Sequence, residues 1–310
     1  MVELAAPAVR REFPADPAMR IKEHDKKFSP PNLIPPSLVV FILCFLSHPA
    51  LAVERDIVAK AAVLMEMRTG KILWVKNQDV ARSPASTAKI LTASVTLDRV
   101  ALKEIVTVPI VATASKNSKL PLQGGERVSV QDLLHALLLQ SSNDAALALA
   151  SHVGGSTVKF VQLMNQKARS VGALRSQFHN PTGMPQRGQV TTARDLALIT
   201  KAALAAPEFR RIVATKSYPW KSFKWEGMLE NSNELLKSYD GAIGVKTGNT
   251  AEAGYCLAAA AQRRDKTLIA VILGSQEKHV WQDAKHLLDY GFKTVDSATS
   301  GSNSLTIPWG

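Results

Sequence analysis

Apolar residues alternate with polar ones at Val63, Met65 and Met67, and again at Ile72 and Trp74, on either side of Arg68-Thr69-Gly70. Period-two alternation around a glycine-containing turn predicts a β-hairpin over residues 62–76. The period then changes. After Pro84 a helical spacing begins at Ser86 and runs through Ile90 and Leu91 toward Leu97. Residues 131–140 read as a helix with Ser129 as its N-cap. Ser141-Ser142-Asn143 interrupts that pattern, which resumes over 144–152 and stops at Gly154-Gly155. Residues 157–171 predict another helix, ended by Gly172. A further one starts at Thr191-Thr192, with Asp195 at capping-box spacing.

The C-terminal part reads differently. Three strands are predicted over 242–248, 254–261 and 266–274, the last two joined by a turn at 262–265, and 280–290 forms a closing helix. A hairpin before a helical middle, with strands after it, predicts an α/β protein of the α+β type. Its antiparallel sheet is built from both chain ends and flanked by helices, with a helical subdomain inserted between. The folded domain is placed at 53–296. Residues 297–310, rich in Ser, Gly and Thr at their start, are expected to form a disordered tail.

The N-terminus bears on compartment. Residues 38–46 (LVVFILCFL) are apolar but too short to span a bilayer comfortably, and Ala50 and Ala52 then fit an A-x-A cleavage pattern. Residues 1–52 therefore read as an extension plus a cleavable signal peptide, with Met19 a more ordinary start than Met1. Export to the periplasm or cell-wall space is expected, with the protein soluble or peripheral to the outer face of the membrane. Leu43 before Cys44 argues against a lipid-modified cysteine. Cleavage leaves Cys256 as the only thiol, so no internal disulfide forms. The formal charge of +12 does not point to nucleic acid, because the basic residues are scattered and not interleaved with aromatics. It suits a polyanionic wall or a membrane face, where peripheral contact is expected.

Candidate chemistry lies in three strings in one order: Ser86-Thr87-Ala88-Lys89, Ser141-Ser142-Asn143 and Lys246-Thr247-Gly248. Ser-x-x-Lys recurs at Ser156 and Ser275, where it reads as a helix cap and a surface lysine. Ser-x-Asn recurs at Ser115-Lys116-Asn117, in a polar stretch without flanking helices. Lys-Thr-Gly occurs once, and only Ser86 heads the full set. The order carries the signal.

A serine at a helix N-terminus sits beside unpaired N–H groups, and Lys89 returns to nearly the same face three residues on. An ordinary lysine, with a pKa of about 10.4, cannot accept a proton at neutral pH. Burial, or a second cation such as Lys246, would lower that value. Ser141 then relays a proton to a leaving amine, while Asn143 orients Lys89 and holds a substrate amide. A polar loop satisfied between two helices is the plainer reading of that string. Lys246 and Thr247 at a strand end suit a carboxylate, and Gly248 lets substrate lie against the backbone. The N–H of Asn249, with that of Ser86, would form an oxyanion hole. A hairpin turn with a solvated lysine is the plainer alternative. His135, His152, His179, His279 and His286 show no metal-ligand spacing and no phosphate loop is present, so no metal or other cofactor is expected.

These motifs resemble the penicillin-binding protein and serine β-lactamase superfamily, and most nearly the low-molecular-mass D-alanyl-D-alanine carboxypeptidases of serine peptidase family S11. The resemblance covers about 61–290. It includes Pro84-Ala85-Ser86, Asn143-Asp144-Ala145-Ala146, Asn180-Pro181-Thr182-Gly183-Met184, Thr192-Ala193-Arg194-Asp195 and Tyr239-Asp240-Gly241. It implies a β-lactamase/transpeptidase-like fold and an acyl-enzyme on Ser86, with Lys89 as base and Ser141 assisting proton transfer. Lys246 and Thr247 would bind the terminal carboxylate of peptidoglycan stem peptides, and β-lactam antibiotics would acylate the same serine. Ser142 departs from a common Gly, Asn249 from a common His or Phe, and Thr182 from a common His. Lys201 stands where some relatives place an arginine near the carboxylate. Rival readings are an endopeptidase cutting D-Ala–diaminopimelate crosslinks, a β-lactamase and a silent wall-binding protein. A class A β-lactamase would need a glutamate near 175–180, where none stands.

Overall fold

The computed structural model describes residues 57–114 and 120–302. The segment read above as a signal peptide and Ser115-Lys116-Asn117 lie outside them. Five strands form one antiparallel sheet: β1 (Ala61–Glu66), β2 (Ile72–Lys76), β7 (Ala242–Thr250), β8 (Gly254–Arg263) and β9 (Lys266–Ser275), in the order β2-β1-β9-β8-β7. The N-terminal hairpin enters the sheet through β1, which pairs with β9 from Ala61↔Leu273 to Glu66↔Leu268. Both chain ends thus build one sheet, as the pattern of periods implied.

Alternation along the strands gives the sheet two apolar faces. Val63, Met65, Val271 and Leu273 point to one side, and Ala62, Leu64, Ala270 and Ile272 to the other. Strands covered on both faces read as continuous apolar runs, which is why β1, β8 and β9 carry so few polar residues in their middles. On the first face lie α1 (Lys89–Leu97), α2 (Val130–Leu139), α3 (Asn143–Gly154), α4 (Thr157–Ser170) and α5 (Ala193–Leu204). A short pair, β3 (Ile105–Thr107) with β4 (Arg127–Ser129), leads into α2, whose N-cap Ser129 accepts from the Asp132 N–H. The helix α6 (Pro207–Ala214), the hairpin β5–β6 (Ser217–Lys221 and Glu226–Glu230) and α7 (Leu235–Ser238) follow α5. None of these small elements was predicted. Alternating Tyr218 and Trp220 offered a signal for β5, though Pro219 in the run obscured it.

The second face is closed by α8 (His279–Ser302) through Val280, Ala284, Leu287, Leu288 and Phe292. This helix outruns the predicted 280–290 and enters the stretch expected to fray. Phe292 and Val295 continue its apolar stripe against the sheet, so the helical period holds past Tyr290. Residues 303–310 lie outside the described residues.

A single carboxylate ties the start of this layer to the chain entry. Asp283, fully buried, accepts from the N–H of Val58 at 2.8 Å, the N–H of Ala59 at 3.0 Å and the Ser275 hydroxyl at 2.6 Å. Asp283→Ala leaves three donors without their acceptor, two of them buried. It is expected to lower stability by about 3 kcal/mol in urea titration, with Asp283→Asn, which keeps one acceptor oxygen, losing less.

Candidate active site

The nucleophile candidate sits on a tight turn. Ala85–Ala88 is a 3-10 turn running into α1, with Ala85 at φ +47°. The carbonyl of Pro84 accepts both the N–H and the hydroxyl of Thr87. Lys89, the first residue of α1, is fully buried. Its Nζ lies 3.0 Å from Ser86 Oγ, 2.8 Å from Asn143 Oδ1 and 2.5 Å from the Thr182 carbonyl. Two of these partners only accept hydrogen bonds, so they take two N–H bonds in either protonation state. The third direction faces Ser86, and there a neutral amine presents a lone pair to the serine hydroxyl. Burial first, and the nearby Lys246 charge second, hold the Lys89 pKa well below the ordinary lysine value. That is the condition for a general base.

Thr182 contributes through its backbone. Asn180 Oδ1 accepts from the N–H groups of Thr182 and Gly183 and from the Thr182 hydroxyl, bending the loop so that the Thr182 carbonyl faces Lys89. Gly183, at φ +80°, passes so near that a Cβ would lie 1.9 Å from the Ala85 oxygen. The sequence reading missed this carbonyl because a main-chain acceptor leaves no side-chain mark.

The second string bridges α2 and α3. Ser141 adopts φ +62°, and Ser142 caps α3 by accepting from the Ala145 N–H at 3.2 Å. A serine in the middle position is thus accommodated as a helix cap. Asn143 opens α3, with its oxygen on Lys89. The Ser141 hydroxyl is buried and has no hydrogen-bond partner among the described residues.

The third string lies on β7, the edge strand next to the nucleophile turn. Lys246 is buried and donates to the Thr247 carbonyl at 2.8 Å. The Thr247 and Ser232 hydroxyls are 2.9 Å apart. Ser232 was not foreseen. It follows β6, its N–H donates to the Leu139 carbonyl, and flanking Asn231 and Asn233 anchor the turn; a hydroxyl between two buried asparagines was its only sequence signal. A Cβ at Gly248 would lie 2.8 Å from the Ser86 nitrogen. Only glycine lets strand and nucleophile turn meet so closely.

Ser86, Ser141, Asn143, Ser232, Thr247 and Asn249 share one cavity of about 610 Å³, walled on one side by Val280 and Trp281. Among the described residues no carboxylate lines it. Cys256, opposite Gly248 on β8, also borders the cavity; burial pushes its thiol up to about 11, so it stays protonated. Lys201 is elsewhere: its ammonium packs against Gly70 in the β1–β2 turn, and it is not among the residues lining the cavity. His135 stacks on Tyr218 away from these groups. Among the described residues no cluster of three metal-ligating side chains occurs.

Residues 48–277 match the family model described as D-alanyl-D-alanine carboxypeptidase, peptidase S11. The chain belongs to this family. Bacillus subtilis DacF, named as a D-alanyl-D-alanine carboxypeptidase, is 34% identical over 246 residues, covering 77% of this chain and 63% of that protein. Mycobacterium tuberculosis DacB2, of the same description, is 35% identical over 250 residues, covering 79% and 86%. The crystal structure of DacD from Francisella tularensis superposes with a TM-score of 0.72 at 29% identity, covering 76% of this chain and 70% of that one. The chain spans 63% of the length of the Bacillus relative and of Escherichia coli DacC.

A depressed lysine pKa has a measurable sign. Between that value and the ordinary one the unfolded chain holds a proton that the folded chain does not, so stability rises with pH across this window. Relative to Lys89→Met, the wild type should gain up to about 1.4 kcal/mol per pH unit there. Superimposable stability profiles for the two proteins would contradict a neutral amine at this position.

Proposed function

We propose that this protein is a serine-type D-alanyl-D-alanine carboxypeptidase that removes the terminal D-alanine from peptidoglycan stem peptides. The observation that carries the reading is the buried Lys89 amine held between Ser86 Oγ and Asn143 Oδ1. The free edge of β7 accepts the stem peptide as an added strand. The terminal carboxylate meets Lys246 and the Thr247 and Ser232 hydroxyls. Ser86 Oγ attacks the carbonyl carbon of the penultimate residue as its proton passes to Lys89. The Ser86 and Asn249 N–H groups stabilise the resulting oxyanion, each worth ~3–4 kcal/mol in such a site. Ser141 hands the proton from the amine system to the departing nitrogen; the C–N bond breaks and free D-alanine leaves. Water then enters the vacated place, gives its proton back through the same groups and hydrolyses the ester.

β-Lactams react at the same serine, but the opened ring stays attached and blocks the place where that water would enter. Among the described residues no carboxylate lines the cavity to activate a water from the other face. The same observation favours a slowly deacylating enzyme over a β-lactamase. Export, read from residues 38–52, would bring the protein to this substrate.

Labelling with a fluorescent penicillin tests the reading. Wild type should retain the label for hours, and Ser86→Ala should lose labelling and D-alanine release by roughly 10⁴-fold or more. Rapid loss of label by the wild type would indicate a β-lactamase. A folded wild type that takes no label would remove the nucleophile assignment.

A further inference from the structure

We infer that the tip of the β5–β6 hairpin is a docking surface for an anionic phospholipid bilayer. The hairpin is amphipathic in an unusual way. Trp220 and Leu229 face the body and are buried, while Phe223 at the turn is 77% exposed and Met228 on the outer face is 52% exposed. Trp225 stands beside them, also exposed, its ring laid so close to the strand that a Cβ on Gly227 would sit 2.5 Å from it. Glycine at 227 therefore gives this ring a fixed seat.

The tip is pinned to a second apolar element. The Phe223 N–H donates to Glu126 Oε1 at 2.9 Å, and Glu126 Oε2 accepts from the Gln123 N–H at 3.0 Å. The next residue along that loop, Gly124, packs against Ile110, which is 80% exposed and precedes the exposed Val111. Ile110, Val111, Phe223, Trp225 and Met228 are five of the eleven large apolar side chains exposed among the described residues, and the Phe223–Glu126 and Gly124–Ile110 contacts join the two elements that carry them. Singly exposed apolar residues are ordinary; a gathered group marks an interaction surface.

Charge selects the occupant. Lys224 follows Phe223 at the tip and the exposed Arg127 follows Glu126, while Lys221 on the other side of the turn is paired with Glu226 at 2.8 Å. An indole and a phenyl ring beside the Lys224 ammonium and the Arg127 guanidinium match the boundary between acyl chains and acidic headgroups, where Trp is favoured and cations are attracted. The net charge of +12 adds long-range attraction to such a surface. The root of the hairpin is at the cavity: Glu230 accepts from Gln140, the neighbour of Ser141, and Ser232 lines the cavity wall. A strand of five residues spans roughly 17 Å, so docking at the tip keeps the reaction site close above the bilayer.

A nitroxide at position 223 reads this directly. The full chain with Cys44→Ser and Phe223→Cys is spin-labelled; Cys256 stays unlabelled because it is buried with its thiol protonated. Penicillin acylation at the wild-type rate certifies the fold. With phosphatidylglycerol vesicles the label should become several-fold more accessible to oxygen and less so to a water-soluble nickel chelate. Pure phosphatidylcholine vesicles should produce little change, and Lys224→Glu should shrink the effect several-fold. A label at Leu174→Cys, exposed elsewhere, should not respond. The proposal is overturned if position 223 stays water-accessible on phosphatidylglycerol vesicles or responds equally to both lipids. It is also overturned if spin–spin broadening without lipid shows a second copy at the tip, or if only isolated glycan strands shield the label.

Discussion

The site depends on keeping one lysine amine out of water. An ammonium buried as deeply as Lys89 is unfavourable by several kcal/mol unless it is fully hydrogen-bonded or gives up its proton. The structure supplies two fixed acceptors, Asn143 Oδ1 and the Thr182 carbonyl, and places Ser86 in the remaining direction. Burial first, and the nearby Lys246 charge second, favour the neutral form. One constraint thus connects a 3-10 turn, the start of α3, a loop beyond α4 and an edge strand. Each contributes one group, and none of them forms the site alone.

Close backbone approach makes this convergence possible. The turn that carries Ser86 is held between two glycines. Gly183 presses on the Ala85 carbonyl from the loop, and Gly248 presses on the Ser86 nitrogen from β7. Neither contact leaves room for a Cβ, and Gly183 also needs a positive φ. Behind them, the layers on both faces of the sheet fix where β7 ends. The sheet in turn depends on the N-terminal strand pairing with β9, which Asp283 secures at the chain entry.

Much of this was legible in the chain before folding. Long periodic segments revealed the central sheet and the large helices, because burial on a regular face imposes a regular pattern. The side chains of Ser86, Lys89, Ser141, Asn143, Thr247 and Asn249 meet at one place, as their order suggested, since motif residues are marked by type and spacing. Short elements escaped. The β5–β6 hairpin carries Pro219 and Gly227 within its strands and lies apart from the sheet, so neither propensity nor alternation spoke clearly. Lys201 was illegible for another reason: a cation at a plausible sequence position says nothing about direction, and its ammonium packs against Gly70 in the β1–β2 turn.

The departures from the family pattern follow a physical rule. Ser142 stands where glycine is common, yet it caps α3 and leaves Asn143 on Lys89. Thr182 replaces a common histidine, but the group used is its carbonyl, which every residue carries. At Asn249 the expected donor is again a backbone N–H. Where the main chain carries the group, as at Thr182, the side chain need only preserve the local conformation. Where the main chain must come close, as at Gly183 and Gly248, even one methyl group intrudes. The strictest positions in this site are therefore those with no side chain at all, which motif reading by functional groups weighs least.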